Sequence, residues 1–252
     1  AGQGTFRKRG MMEAKGEYMI SCDSDDWVEP DMYETMLNNF DSDEIDIVVC
    51  EWKKYYENYT ENLTYPYDTE FALDLIGSGL RTSLCDKMVK AYLIKDNDIY
   101  PFDGINHNED SFVLYRLLLV AKKVKFIHKL FYNYDYTRQN QASKTNYDYV
   151  IEHCIKPSLL KLEEFYSARL DPCRTKLLLD KIKFNRKSYY LNKDTRNLKK
   201  WVNLWPECRC NIKNMKFLPW KYRHILWLIS WSETLLKFFL WCVEIKAKFQ
   251  RK

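Results

Sequence analysis

The chain has 252 residues, of which 46% are hydrophobic and 30% are charged, a composition typical of a folded globular protein rather than a disordered or fibrous one. Its formal net charge of +5 is too small to predict a nucleic-acid partner. The eight cysteines are scattered and only Cys208 and Cys210 lie close together, so we predict no disulfide framework or zinc site and take a reducing cytoplasm as the default compartment.

The first feature along the chain is a basic segment with a helical pattern, residues 7 to 15, followed by an apolar run that begins at Tyr18 and predicts a short buried strand. Three carboxylates come next: Asp23, Asp25 and Asp26. If the backbone stays extended, Asp23 and Asp25 leave the same face and offer oxygen ligands for Mg²⁺ or Mn²⁺. A solvated turn or a helix N-cap would explain the same acids without a metal.

The middle of the chain alternates between helical and strand patterns. We predict helices over Asp31–Phe40 and Phe71–Leu80, and strands over Ile45–Cys50, Val124–His128 and Leu130–Tyr134. This alternation predicts an α/β fold with helices flanking a sheet.

A second acidic motif, Glu109-Asp110, precedes apolar residues that recur at helical spacing from Phe112 onward. Asp110 is therefore predicted to lie at or near a helix N-terminus, where the simplest role for an aspartate is that of a cap.

Several stretches together resemble the signature of family 2 glycosyltransferases, which are nucleotide-sugar-dependent enzymes of the GT-A fold. The matching stretches are Gly16-Glu17-Tyr18, Asp23 to Val28 and Pro30 to Glu34, with Gly4, Arg7, Gly10 and Ala14 at the positions of a Gly-x-x-Arg-Asn-x-Gly-x-x-x-Ala pattern. Lys8 replaces the usual Asn. The resemblance covers residues 2 to 143 and implies a GT-A-like mixed sheet flanked by helices. Because the pattern around Arg7 lies mid-domain in that family, we expect the chain to lack an N-terminal nucleotide-binding part.

The resemblance also implies a role for each acid. Asp23 would contact the donor nucleotide and share a Mn²⁺ or Mg²⁺ ion with Asp25, which would hold the metal against the donor diphosphate. Asp26 would support this donor-binding loop. Glu109 and Asp110 would both be catalytic residues, since the family has a Glu-Asp pair here, and Asp110 would be the general base that deprotonates the acceptor hydroxyl for a single displacement with inversion.

Two cations complete the predicted donor site, Arg7 and Lys87. Lys87 lies in a segment, Leu84 to Lys90, that resembles the one before the family's catalytic motif, although Cys85 stands where that motif often has Trp. A polar loop from Arg138 to Ser143 is expected to close the pocket. The implied donor is a nucleotide-diphosphate sugar, expected to be a UDP-sugar, and the implied acceptor is a glycan or a lipid-linked glycan.

Residues 1–145 are thus predicted to form the catalytic body, and residues 146–252 a helical region with helices over Tyr149–Tyr166 and Cys173–Leu191. The last segment, Ile225 to Ile245, reads as one amphipathic helix rich in Trp, with a narrow polar stripe. The stripe consists of Ser230, Glu233, Lys237, Glu244 and Lys248. Its charges disfavour a transmembrane span. We expect it to lie on the anionic inner face of the cell membrane, with packing against protein as the alternative.

Two other functions compete with glycosyl transfer. A phosphohydrolase with an Asp-x-Asp nucleophile normally has Thr or Val two residues after the second Asp, and Trp27 fits this poorly. A catalytically incomplete, membrane-bound interaction module derived from a glycosyltransferase is the non-enzymatic alternative. The coding sequence upstream of Ala1 would discriminate between the module and the enzyme.

Overall fold

Residues 2–137, 146–191, 196–215 and 220–249 are described by the computed structural model of this chain. The chain divides into two units, one formed by Ala1–Leu75 with Leu80–Arg169 and the other by Ile76–Gly79 with Leu170–Lys252. Residues 1–145 fall in the first unit except for the short segment Ile76–Gly79, and that unit also takes in the helices up to Arg169. The predicted boundary between domains stays a prediction.

The first unit contains a mixed sheet flanked by helices, which confirms the predicted α/β class. Its strands are β1 (Tyr18–Met19), β2 (Trp27–Val28), β3 (Ile45–Tyr55), β4 (Thr60–Leu63), β5 (Thr69–Phe71), β6 (Lys87–Lys90) and β7 (Lys123–Asp135). Its helices are α1 (Gln3–Glu13), α2 (Met32–Leu37), α3 (Ala91–Lys95), α4 (Glu109–Val120), α5 (Tyr147–Val150) and α6 (Lys156–Ser167), the last two joined by a π-helical turn, Ile151–Ile155.

The sheet has the order β1-β6-β3-β7-β2, with β4 added to β3 and β5 added to β7. The β3–β7 pair is parallel, whereas the other pairs are antiparallel. Strand β3 lies in the middle of this order, between β6 and β7. Its residues 45 to 50 are all buried, as expected for a run of Ile and Val with neighbours on both sides. Met32 and Met36 of α2 pack onto β3 at Val48 and Cys50 in the core of the sheet.

Two secondary-structure predictions in this unit are wrong. The helix predicted over Phe71–Leu80 is instead the end of β5 followed by a short 3₁₀ turn, Ala72–Leu75. Gly77 and Gly79 follow with φ of 71° and 96°, a conformation that no α-helix contains. The two strands predicted over 124–134 are one strand, β7, because an irregularity in its pairing with β3 absorbs the extra residues: Cys50 pairs with Ile127, but Glu51 pairs with Leu130.

The second unit is helical, with α7 (Pro172–Lys187), α8 (Leu198–Asn203), α9 (Trp220–Ile229) and α10 (Glu233–Phe249). Short 3₁₀ segments, Ser188–Leu191 and Pro206–Asn214, lie between them. The aspartate before α7, Asp171, caps the helix by accepting a hydrogen bond from the Arg174 backbone N–H at 3.0 Å. The fully buried Trp201 of α8 packs edge-on against Phe184 of α7, with ring centroids 6.2 Å apart.

The single helix predicted over Ile225–Ile245 is wrong, because the chain turns between Ile229 and Glu233 and forms two helices. Ser230 lies in the turn, where it is fully buried and its hydroxyl donates to the Trp227 carbonyl oxygen at 2.7 Å. It therefore does not belong to an exposed polar stripe. Glu233 and Lys237 are on α10 and form an ion pair at 2.7 Å. The side chains of the remaining stripe residues, Glu244 and Lys248, lie outside the described part of the structure.

Candidate active site

The first acidic motif forms a turn that directly follows the edge strand β1. The backbone N–H of Asp26 donates to the carbonyl oxygen of Asp23 at 3.2 Å, so the chain is not extended between Asp23 and Asp25. The condition for placing these two carboxylates on one strand face is therefore not met. They come together in another way, because Asp23, Ser24 and Asp25 all line the same cavity.

This cavity has a volume of about 1080 Å³. Of the predicted site residues, Arg7, Asp23, Asp25 and Lys87 line it. Apolar side chains from α1, β1 and α4 form other parts of its wall: Met11, Met19, Val113 and Leu117. A mostly apolar cavity with a few charged groups is the usual form of a small-molecule site.

Arg7 joins the two acidic motifs. Its guanidinium donates from Nη2 to Oδ1 of Asp23 at 3.3 Å and from Nε to Oε1 of Glu109 at 3.2 Å. The Arg7 and Glu109 side chains are only 10% and 4% exposed, whereas that of Asp23 is 33% exposed. Burial works to lower the pKa of Arg7, but the carboxylates of Asp110, Asp23 and Glu109 outweigh it and leave the pKa above its ordinary value. Arg7 is thus a permanent cation between the two motifs.

A close contact between backbones makes this bridge possible. Gly4, on the first turn of α1, approaches the loop before α4 so closely that a Cβ atom would lie 2.2 Å from the carbonyl oxygen of Ile105. Only glycine allows α1 to pack at this distance. The same approach brings Arg7, one turn further along α1, within reach of Glu109.

The second acidic motif opens helix α4, where Glu109 and Asp110 are the first two residues. The cap position is held by Asn108, which has a left-handed φ of 59°, so Asp110 is not the cap itself. The Oδ1 atom of half-buried Asp110 accepts from the backbone N–H of Ser111 at 2.7 Å and from its hydroxyl at 3.3 Å. The positive end of the α4 dipole also favours an anion here.

Glu109 differs from Asp110 in its surroundings. Burial, followed by the neighbouring charge of Asp110, raises the pKa of Glu109 to about 7, although Arg7 works in the opposite direction. At neutral pH this carboxyl group therefore lies close to its midpoint of ionisation.

Asp26 is held by two contacts within the protein. Its Oδ2 accepts from the hydroxyl of Tyr132 at 2.5 Å, and its Oδ1 accepts from the backbone N–H of Asp135 at 3.1 Å. The same Tyr132 hydroxyl accepts from the backbone N–H of Asp23 at 3.3 Å. Burial raises the pKa of Asp26, and the hydrogen bonds from Tyr132 and Asp135 partly offset this rise. Tyr132 is a site residue that sequence reasoning missed, and its only signal was a hydroxyl inside an otherwise buried strand.

Lys87 lines the cavity but already has a partner. Its Nζ lies 2.6 Å from Oδ1 of Asp86, both side chains are 1% exposed, and Tyr65 donates to the other Asp86 oxygen at 2.5 Å. Its predicted contact with the donor stays a prediction. Cys85, one residue before this pair, donates from Sγ to Oδ2 of Asp23 at 3.5 Å. Burial and the charge of Asp23 raise the pKa of the Cys85 thiol to about 12, so it stays protonated.

Within the described residues, no group of three or more His, Cys, Asp or Glu side chains is arranged to hold a metal ion. Asp23 and Asp25 on the cavity wall are a pair only. A pair of carboxylates can bind Mg²⁺ or Mn²⁺ when a substrate supplies further oxygen ligands, since Mg²⁺ commonly binds through one or two carboxylates together with phosphates. The predicted closing loop, Arg138 to Ser143, lies outside the described residues.

Comparison with known proteins supports the resemblance. Residues 1–88 match the family model described as Glycosyl transferase family 2. The chain is 29% identical over 143 residues to a protein named putative glycosyltransferase EpsH of Bacillus subtilis (strain 168), covering 53% of this chain and 41% of that protein. It is 28% identical over 182 residues to a cholesterol galactosyltransferase of Borreliella burgdorferi, covering 64% of this chain and 48% of that protein. The chain therefore spans less than half the length of these two relatives.

Among solved structures, the chain is similar to S. aureus TarS 1-349 in complex with UDP-GlcNAc, with a TM-score of 0.67 and 17% identity. The match covers 94% of this chain and 72% of that chain. At this level of identity the similarity concerns the fold, and it confirms the predicted GT-A-like mixed sheet with a helical C-terminal region.

Proposed function

We propose that this chain, whose residues 1–88 match the model of glycosyltransferase family 2, transfers a sugar from a nucleotide-diphosphate donor to a hydroxyl group of a glycan or lipid-linked acceptor. The observation that carries this proposal is the Arg7 bridge, which links the acidic turn on the cavity wall to Glu109, the neighbour of Asp110. The relatives' names support glycosyl transfer. The complexes of S. aureus TarS with UDP-GlcNAc and with UDP support a UDP-sugar donor.

On the donor side, Asp25 and Asp23 would hold a Mn²⁺ or Mg²⁺ ion, which when bound offsets the negative charge of the departing diphosphate. Contacts with Arg7 and Cys85 at its two oxygens would hold the Asp23 carboxylate in place on the cavity wall. Asp26 keeps the turn in shape through its contacts with β7 and needs no contact with the donor to do so.

On the acceptor side, Asp110 would take the proton of the attacking hydroxyl group. The acceptor oxygen forms a bond to the anomeric carbon while the bond from that carbon to the diphosphate oxygen breaks, and the proton passes to the carboxylate. One displacement from the face opposite the leaving group inverts the anomeric configuration. Glu109 would not share this task, because its carboxylate is turned to Arg7 in a buried ion pair.

The test uses three variants of equal chemical size. Asp110→Asn should lower the rate of transfer about 10²–10⁴-fold, the usual contribution of a general base. Asp25→Asn should abolish Mn²⁺-dependent donor binding, measured by calorimetry with a UDP-sugar, while Asp43→Asn, in an exposed loop, should change neither quantity. Transfer is read as release of nucleotide diphosphate, and NMR of the product decides between inversion and retention. Full activity of Asp110→Asn, or a retained anomeric configuration, would refute the mechanism.

A further inference from the structure

The last two helices expose an unusual set of large apolar side chains. Leu228, Trp231, Leu235, Phe238 and Trp241 are between 49% and 63% exposed. Exposed apolar residues are ordinary when they are scattered, but neighbouring ones indicate an interaction surface. We call this set the apolar face of α9 and α10.

The apolar face lies on the side of α10 that faces away from its own unit. Leu236 is fully buried where α10 packs against α8 and α9. Because successive helical residues are about 100° apart, Leu235, Phe238 and Trp241 lie roughly 100–160° around the helix from Leu236. A surface helix normally presents polar residues on that side. Here the inward side is already buried, so packing within the unit does not account for the outward one.

The segment that carries this face is rich in cations. Residues 211–252 contain nine Lys and Arg but only two Glu. In the described part of this segment, Lys213 Nζ lies 3.6 Å from the ring centroid of Trp227. Arg209, shortly before the segment begins, places its guanidinium 5.2 Å from the ring centroid of Trp231. Tryptophan beside Lys and Arg is the composition of protein surfaces that lie at the boundary between lipid headgroups and acyl chains.

We propose that the apolar face of α9 and α10 docks into the surface of an anionic membrane. Apolar burial and attraction of the cations to anionic lipid would act together. A second copy of the chain is a poorer partner, because two segments with the same excess of positive charge repel each other. No helix in the described ranges is long and apolar enough to cross a membrane. This proposal does not depend on the proposed catalytic activity.

Vesicle flotation of the full chain tests it. The protein should float with phosphatidylcholine vesicles that contain phosphatidylglycerol, and much less with phosphatidylcholine alone. Binding should weaken in about 1 M salt, where the Debye length is about 3 Å. Phe238→Ser should lower the partition coefficient about tenfold, which corresponds to about 1.4 kcal/mol. The matched control is Leu160→Ser on α6, since Leu160 and Phe238 are 65% and 63% exposed, and it should leave binding unchanged.

Both variants should unfold at the wild-type temperature, because both side chains are exposed. A folded wild-type protein that floats with none of these vesicles would overturn the proposal. Flotation that is indifferent to anionic lipid and to salt would overturn the charge component. A dimer detected by light scattering and abolished by Phe238→Ser would show that a second copy covers the face instead.

Discussion

Removing the charge of Arg7 should destabilise the protein in a strongly pH-dependent way. In Arg7→Gln, the 4%-exposed Glu109 loses its ion-pair partner, and Asp110 remains beside it. Breaking a buried ion pair by removing one partner costs about 3–5 kcal/mol when the other group stays charged. The pair with Asp23 adds less, because that carboxylate is 33% exposed and solvent screens it.

The pH dependence follows from the raised pKa of Glu109. Its folded-state pKa is about 7 against an ordinary 4.5, so the folded protein holds this proton more tightly than the unfolded chain does. The resulting stabilisation is fully present below pH 4.5 and is lost as the pH rises to about 7, with a magnitude of about 3 kcal/mol at 1.36 kcal/mol for each pH unit. Arg7 limits this loss, because it lowers the pKa of Glu109. Without Arg7 the loss should be larger and should continue to higher pH.

Urea unfolding of the wild type and Arg7→Gln at two pH values gives the measurement. At about pH 5, where Glu109 is mostly protonated, the variant should lose about 1 kcal/mol, as for one ordinary hydrogen bond. At about pH 8 it should lose about 3–5 kcal/mol. The matched control is Lys8→Gln, which removes the neighbouring cation and its largely exposed pair with Asp103, and should change little at either pH. An equal loss at both pH values would refute the reasoning and leave Arg7 a packing role.

Two further predictions concern the positions of site residues. Tyr132→Phe should raise the pKa of half-buried Asp26, because the lost hydrogen bond is one that lowers it, and should cost about 1.5–3 kcal/mol, the usual contribution of a hydrogen bond to a charged group. NMR titration of Asp26 and thermal unfolding would show both effects, and an unchanged pKa would contradict the contact. Gly4→Ala should strongly destabilise the protein, because the added Cβ would lie 2.2 Å from a carbonyl oxygen. Gly10→Ala on the same helix adds a Cβ with nothing within 4 Å and should be neutral or stabilise the protein by up to about 1 kcal/mol. Equal effects of the two alanine variants in thermal unfolding would argue against the close approach of α1.

Hydrophobic patterns predicted the elements that contain a continuous buried stretch, such as residues 45 to 50 of β3, although that strand continues to Tyr55. Strand β3 and helix α4 appear where a run of Ile and Val and a helical repeat of apolar residues placed them. The failures share a cause, which is that local pattern does not report the backbone geometry between elements. The apolar residues from Phe71 to Leu80 suggested a helix, but positive φ at Gly77 and Gly79 allows none there. The break at Ser230 is equally hidden, because serine occurs within helices as well as between them.

The candidate site was only partly predictable from the sequence, because a local pattern does not report which elements meet in the folded chain. Motif resemblance singled out the acids and Arg7, but no spacing rule connects Arg7 with Glu109, which lies 102 residues further along the chain. The partners of Tyr132 are equally distant, because Asp23 and Asp26 lie 109 and 106 residues before it in the chain. The partner of each carboxylate, whether solvent, a cation or a hydroxyl group, depends on elements that meet only in the folded chain.

The adjacent acids of the second motif show how packing separates two side chains that the sequence presents as equals. Glu109 and Asp110 occupy successive positions on α4, so their side chains leave the helix about 100° apart. Glu109 lies in a buried pair with Arg7, and burial followed by the charge of Asp110 raises its pKa to about 7 although Arg7 works against this rise. Asp110 is half-buried, accepts hydrogen bonds from Ser111 and lies at the positive end of the helix dipole. Two carboxylates in different environments take different roles. A buried partner of arginine cannot also reach an incoming acceptor, and this is why the proposed mechanism assigns the proton-accepting role to Asp110 and not to Glu109.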